Sequence, residues 1–172
     1  MNRDSRHARF FQWLVTGLVL LLVAACGAKE TPPPPPIAPP EPTSVMLEIE
    51  TAGDINPNPM GRPSPLVLRI YQLKSPSGFE KADFMSLYEK EEAVLGRDLV
   101  KKEEIILKVN EKQTIPVEVE DDTNALGLMA VFRNYEQSQW KATAVIIRHQ
   151  PNQMNVNIRG NTLTMKQGEV PP

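Results

Sequence analysis

Few side chains in this 172-residue chain have the types and spacing that chemistry requires. His149 is the only histidine outside the basic N-terminal segment, so no two-histidine metal site can form, nor a catalytic set needing more than one. No Gly-x-Ser-x-Gly elbow and no phosphate-cradling glycine loop occurs. Glu118, Glu120, Asp121 and Asp122 gather carboxylates in one stretch. They lack the spaced oxygen ligands of a calcium loop and read as a solvated turn. Glu89, Glu91 and Glu92 beside Lys90 read as a solvated face rather than a paired acid and base. No enzyme is expected, and neither a cofactor, a metal nor a small-molecule substrate.

The reactive group with an informative position is the thiol of Cys26. It ends the run Leu22-Val23-Ala24-Ala25-Cys26, behind the uncharged apolar body that starts at Trp13, and Arg3, Arg6 and Arg9 precede that body. A basic head, a short apolar body and small residues at its end make an export signal. The body is far shorter than the roughly 20 apolar residues of a membrane-spanning helix. An exported chain with one cysteine has no internal disulfide to make. The Leu–small–small–Cys pattern resembles the bacterial lipobox. That resemblance implies cleavage after Ala25 and acylation of Cys26, with two or more acyl chains giving a firm anchor. Gly27 follows where an Asp would retain a lipoprotein at the inner membrane, so the outer membrane is expected, on its periplasmic face.

The elements that would carry and position such a chain follow in order. Residues 1–25 form the signal, and residues 26–44 form the lipidated cysteine and a linker with Pro32 to Pro36, Pro39, Pro40 and Pro42. A proline run adopts an extended helix of about 3.1 Å per residue, so this spacer reaches up to roughly 55 Å. Its other reading, a docking motif, needs a proline-binding module, and those are chiefly cytosolic. Removing residues 1–25 takes Lys+Arg from 19 to 16 and Asp+Glu from 21 to 20, moving the net charge from -2 to -4. A mildly acidic surface without a basic run argues against nucleic acid as partner.

Residues 45–172 read as one all-β domain. Val45, Leu47 and Ile49 alternate with Met46, Glu48 and Glu50, the period of a half-buried strand. Leu66 to Leu73 is apolar on both faces for most of its length and reads as central. A small helical insert is expected at about 79–96, with Asp83 as N-cap and Gly96 at the end, in short pieces. Glu104 to Val109 and Thr114 to Val119 flank a hairpin-length connection, and Pro116 marks an edge. Leu126 to Phe132, Ala142 to Ile147, Met154 to Arg159 and Thr162 to Lys166 complete about eight strands, the pattern of an antiparallel two-sheet β-sandwich.

A longer resemblance rests on Asn56-Pro57-Asn58, on Gly61-Arg62-Pro63-Ser64-Pro65 running into Leu66 to Leu73, and on Phe79, Ala82, Asp83, Phe84 and Leu87. With Asp98-Leu99, these look like the type VI secretion lipoprotein family TssJ, also called VasD or SciN. The resemblance covers Val45 to about Lys166, and the proline linker has no counterpart in it. It implies a transthyretin-like sandwich with a helical insertion after the second strand. It also implies a role: anchoring the secretion system's membrane complex by binding the periplasmic C-terminal domain of the inner-membrane protein TssM. The loop carried over for that contact is Gly53 to Pro65, with Asn56, Pro57, Asn58, Met60, Gly61, Arg62 and Pro63 as candidates. Proline lowers the ordering cost of binding, Arg62 offers a bidentate fork and Met60 an adaptable apolar contact. A joining turn without a binding role is the plainer reading of this loop. A small-ligand carrier and an envelope hydrolase remain as other functions.

Overall fold

The computed structural model describes residues 41–168. The signal, Cys26, Gly27, the five-proline run and residues 169–172 lie outside that range.

Eight strands fold into two four-stranded sheets. They are β1 (Ser44–Thr51), β2 (Leu66–Leu73), β3 (Leu99–Leu107), β4 (Lys112–Val117), β5 (Ala125–Ala130), β6 (Lys141–Val145), β7 (Pro151–Arg159) and β8 (Thr162–Gln167). The first sheet runs β4-β1-β7-β8 and the second β3-β2-β5-β6. Between them lies one apolar layer, in which Val45, Leu47 and Ile49 of β1 meet Leu66, Leu68 and Ile70 of β2 and Leu126, Leu128 and Ala130 of β5. The period-two reading of β1 holds residue by residue, and β2 is central as its composition implies.

Three features differ from those expected. The β3–β4 connection has hairpin length, yet it crosses between sheets: β3 bonds to β2 and β4 to β1. Thr51 fixes this crossover, its Oγ1 donating to Lys108 O (2.6 Å) and accepting from Glu111 N–H (2.8 Å). Secondly, β1 and β7 run parallel, while the other five pairs are antiparallel. Both strands enter from the same end of the sandwich because the chain changes sheets between β6 and β7. Thirdly, β6 is an edge strand of half-buried side chains rather than a buried one, with Val145 64% exposed; only Ile146, just beyond it, is buried.

A second apolar layer covers the outer face of the β3-β2-β5-β6 sheet. The segment between β2 and β3 forms α1 (Ser77–Lys81) and α2 (Phe84–Leu95), the latter broken at Lys90 (φ -136, ψ 39). Asp83 caps α2 by accepting from Ser86 N–H at 2.9 Å, and the Ser86 side chain, then this N–H, holds its carboxyl below the usual range. Gly96 ends α2 with φ 51. The insert thus comes in short pieces, as its irregular apolar spacing implies. Phe79, Phe84, Leu87 and Leu95 pack on Tyr71, Leu73, Ala125 and Met129. Gly127 leaves room for this: a Cβ there would meet the Phe79 ring at 3.0 Å. Lys141 locks the end of α1, its Nζ donating to Glu80 O (2.6 Å) and Ala82 O (2.7 Å).

Charges tie the same layer down. Glu91 of α2 accepts from Tyr71 Oη at 2.8 Å, from Arg69 and from Lys102. Arg69 also bonds Glu104 at 2.9 Å and lies 4.6 Å from the centre of the Tyr88 ring. Burial, then the bond to Glu91, raises the Tyr71 phenol above its ordinary value of 10.0. The fold therefore favours the neutral phenol. That contribution is complete below the unfolded value and is lost as pH rises through the folded one. Tyr71→Phe is expected to lower stability at neutral pH by about 1.5–3 kcal/mol, through the lost bond to a charged group. Urea midpoints of both proteins should converge as pH climbs beyond 10. A gap that stays constant to high pH would show that the phenol is not the titrating contributor.

Candidate functional site

The loop between β1 and β2 has a buried base and an exposed tip. Ile55 is wholly buried and plugs the inter-sheet core. Asn56, expected as a contact residue, is only 4% exposed and works as a clamp. Its Nδ2 donates to Pro65 O (2.9 Å), its Oδ1 accepts from Arg133 N–H (2.9 Å), and its own N–H donates to Gly160 O (2.9 Å). At φ 47 it takes the left-handed conformation that Asn tolerates better than branched residues. The clamp holds both ends of the loop against the β5–β6 and β7–β8 connections. Composition carried no sign of this burial, because an Asn between Ile and Pro reads as a turn residue.

Asn58 shapes the tip. Its Oδ1 accepts from Met60 N–H (3.0 Å) and Arg62 N–H (2.9 Å), and its O accepts from Gly61 N–H (2.8 Å). Its own N–H donates to Arg62 O at 2.8 Å. Pro59 enters this turn with φ preset, and Gly61 takes φ 76, which a side chain would resist. Pro57 and Asn58 are half-buried. Pro59, Met60, Gly61, Arg62 and Pro63 face solvent, and Met60 is 73% exposed. The expected candidates therefore divide: Asn56 and Asn58 position the loop, while Met60, Gly61, Arg62 and Pro63 present a surface. Pro59, absent from the candidates, belongs to that surface.

The site has a definite place on the sandwich. β1 runs from Ser44 to Thr51, where the loop begins, so the start of β1 and the loop lie at opposite ends. At the Ser44 end His149 donates its N–H to Thr43 Oγ1 at 2.9 Å. A cleft of about 390 Å³ opens there beside Glu41, Glu120, Asp121, Arg148 and His149. No group of three or more metal-ligating side chains occurs among the described residues, nor does a helix long and apolar enough to cross a membrane.

These features define a class: an all-β two-sheet sandwich, helix-covered on one sheet, that holds a shaped loop at the end of β1 opposite Ser44. Residues 43–161 match the model of the type VI secretion lipoproteins VasD, EvfM and TssJ, and the chain belongs to that family. Among solved structures it is similar to the type VI lipoprotein TssJ1 of Pseudomonas aeruginosa, with TM-score 0.72 and 26% identity, over 77% of this chain and 100% of that one. It shares the fold of Lip from Serratia marcescens, a membrane-bound component of the type VI system, with TM-score 0.63 and 17% identity, over 74% and 99%. It also matches a chain in a structure titled for the TssM C-terminal domain (869–1107) from EAEC, with TM-score 0.59 and 25% identity, over 71% and 99%. No curated protein matches the chain by sequence.

Proposed function

We propose that this chain is an outer-membrane lipoprotein, anchored through acylated Cys26 and sorted by Gly27, whose loop tip binds the periplasmic C-terminal domain of TssM. The observation that carries this reading is the preformed, solvent-facing Pro59–Pro63 tip at the end of the sandwich farthest from the linker. A domain held by its linker end turns that tip into the periplasm, towards an inner-membrane partner. The comparison with the TssM structure supports it further. The match spans 71% of 172 residues, about 122, and that is 99% of the matched chain. The span 869–1107 is roughly twice as long, so the matched chain is a sandwich that accompanies that domain in its structure rather than the domain itself.

The role is one of adhesion rather than turnover. The small-ligand alternative calls for a deep apolar pocket, whereas charged side chains surround the cleft at the linker end.

The test is titration of the TssM periplasmic domain with wild type and with Met60→Ala/Arg62→Ala. Both side chains are exposed and outside the core, so circular dichroism should be unchanged. Affinity should fall at least about fivefold, the equivalent of 1 kcal/mol for a central contact. Equal affinities with intact folds would remove the tip from the interface.

A further inference from the structure

The tip of the β1–β2 loop holds one readily oxidised side chain. Pro59, Gly61, Arg62 and Pro63 carry no sulfur, and Met60 ends in a thioether. Met60 is more exposed than any other large apolar side chain among the described residues. Of the chain's seven methionines, Met1 lies outside the described residues and the rest are better covered than Met60. Met46 and Met85 are 42% and 39% exposed, Met165 is half-buried, and Met129 and Met154 are wholly buried in the two apolar layers. Nothing in the fold needs the Met60 side chain. Ile55 and Asn56 hold the base of the loop, and the tip is shaped through backbone groups bonded to Asn58, Met60 N–H among them. A change at the sulfur therefore leaves the sandwich and the turn in place.

We infer that Met60 is a redox-responsive site, at which a peroxide converts the thioether to a sulfoxide and weakens the contact that the tip makes. This rests on the tip as the TssM-binding surface and adds a means of regulating it. A lone pair of Met60 Sδ attacks one oxygen of hydrogen peroxide, and the S–O bond forms as the O–O bond breaks. The proton on the attacked oxygen passes to the departing one, which leaves as water. Sulfur gives up two electrons and the peroxide takes them. The product is a polar, chiral group where a flexible apolar one stood. Burying its oxygen against apolar surface strips water from it without a compensating hydrogen bond. A peroxide reaches an exposed sulfur sooner than one packed in a core, so the tip is modified first. Thiol-dependent sulfoxide reductases reverse the step, two thiols becoming a disulfide while the oxygen leaves as water. A bound partner covers the sulfur, so the oxidant acts on chains that are not yet assembled.

The experiment treats the full lipoprotein in detergent with graded hydrogen peroxide, locates the added oxygen by peptide mass spectrometry, and titrates each product with the TssM periplasmic domain. Met60 should gain its oxygen at a lower dose than Met46 or Met85. Affinity should fall at least about fivefold in step with that gain, with circular dichroism unchanged. It should recover after treatment with sulfoxide reductases for both epimers and dithiothreitol. Met60→Leu, similar in volume and without the sulfur, should lose no affinity at the same dose. Oxidised Met60 with unchanged affinity, an equal loss in Met60→Leu, or oxidation of Met46 or Met85 ahead of Met60 would overturn the proposal. Met60→Ala/Arg62→Ala without oxidant separates this from failure of the tip reading. Weak binding by that variant beside peroxide-insensitive wild type would sink the redox site and leave the tip as the contact; equal binding would sink the contact itself.

Discussion

Phe132→Ala should destabilise the domain by about 3–5 kcal/mol, a large part of the roughly 5–15 kcal/mol that a domain of this size has. Phe132 is 2% exposed and fills the inter-sheet layer just after β5 ends. Its N–H turns back to Ala130 O at 2.9 Å, so the backbone there is bent and the ring has no strand of its own to slide with. The cluster that contains it draws side chains from both sheets, so closing the space would need one sheet to shift against the other. The cavity term should therefore add fully to the lost transfer energy. Chemical denaturation of the domain from Glu41 onward reads this out directly. Ile146→Ala, 4% exposed in the same layer, should cost about 2–5 kcal/mol. Unchanged midpoints for both would mean that this layer does not hold the sheets together.

Cys26→Ser is expected to abolish anchoring altogether, because a serine hydroxyl has no thiol for the thioether bond that carries the diacylglycerol. The chain should persist as an uncleaved precursor, incorporate no labelled fatty acid and disappear from the outer-membrane fraction. Gly27→Asp should keep acylation and divert the protein to the inner membrane. Both substitutions lie outside residues 41–168, so protease resistance of that domain should be retained in both. Outer-membrane recovery of Cys26→Ser would refute the anchor, and an unmoved Gly27→Asp would refute the sorting rule.

Local structure was legible because local forces set it. Period-two alternation marked β1 and β7, and Asp83 and Gly96 marked the ends of α2. Pairing was not legible to the same degree. The β3–β4 crossover depends on Thr51, 57 and 60 residues away from the groups it bonds, and no window of sequence contains that contact. Gln72 shows the same limit. It stands in an apolar strand, is 1% exposed, donates to Glu118 O (2.7 Å) and accepts from Glu120 N–H and Thr123 Oγ1. Its amide is satisfied by a turn that only the tertiary fold delivers. At the loop, the family resemblance picked out residues 53–65 but could not separate an exposed tip from its buried clamp. Asn56 and Asn58 are the same residue type two positions apart, and their surroundings alone assign them different work.

The parallel pairing of β1 with β7 bears on what happens when the molecule is pulled. The chain enters β1 at Ser44 and leaves it for the loop at Thr51, so a load between the proposed anchor and the proposed loop contact would run along that strand. β1 lies between β4 and β7, bonded to both along its length. A force along the strand loads those hydrogen bonds in shear, all at once, whereas a force across it would open them one by one. The eight residues of β1 span about 26 Å, and their bonds must fail together. The sandwich is thus a stiff link in the direction in which an envelope-spanning assembly would strain it, and its weakest direction is sideways.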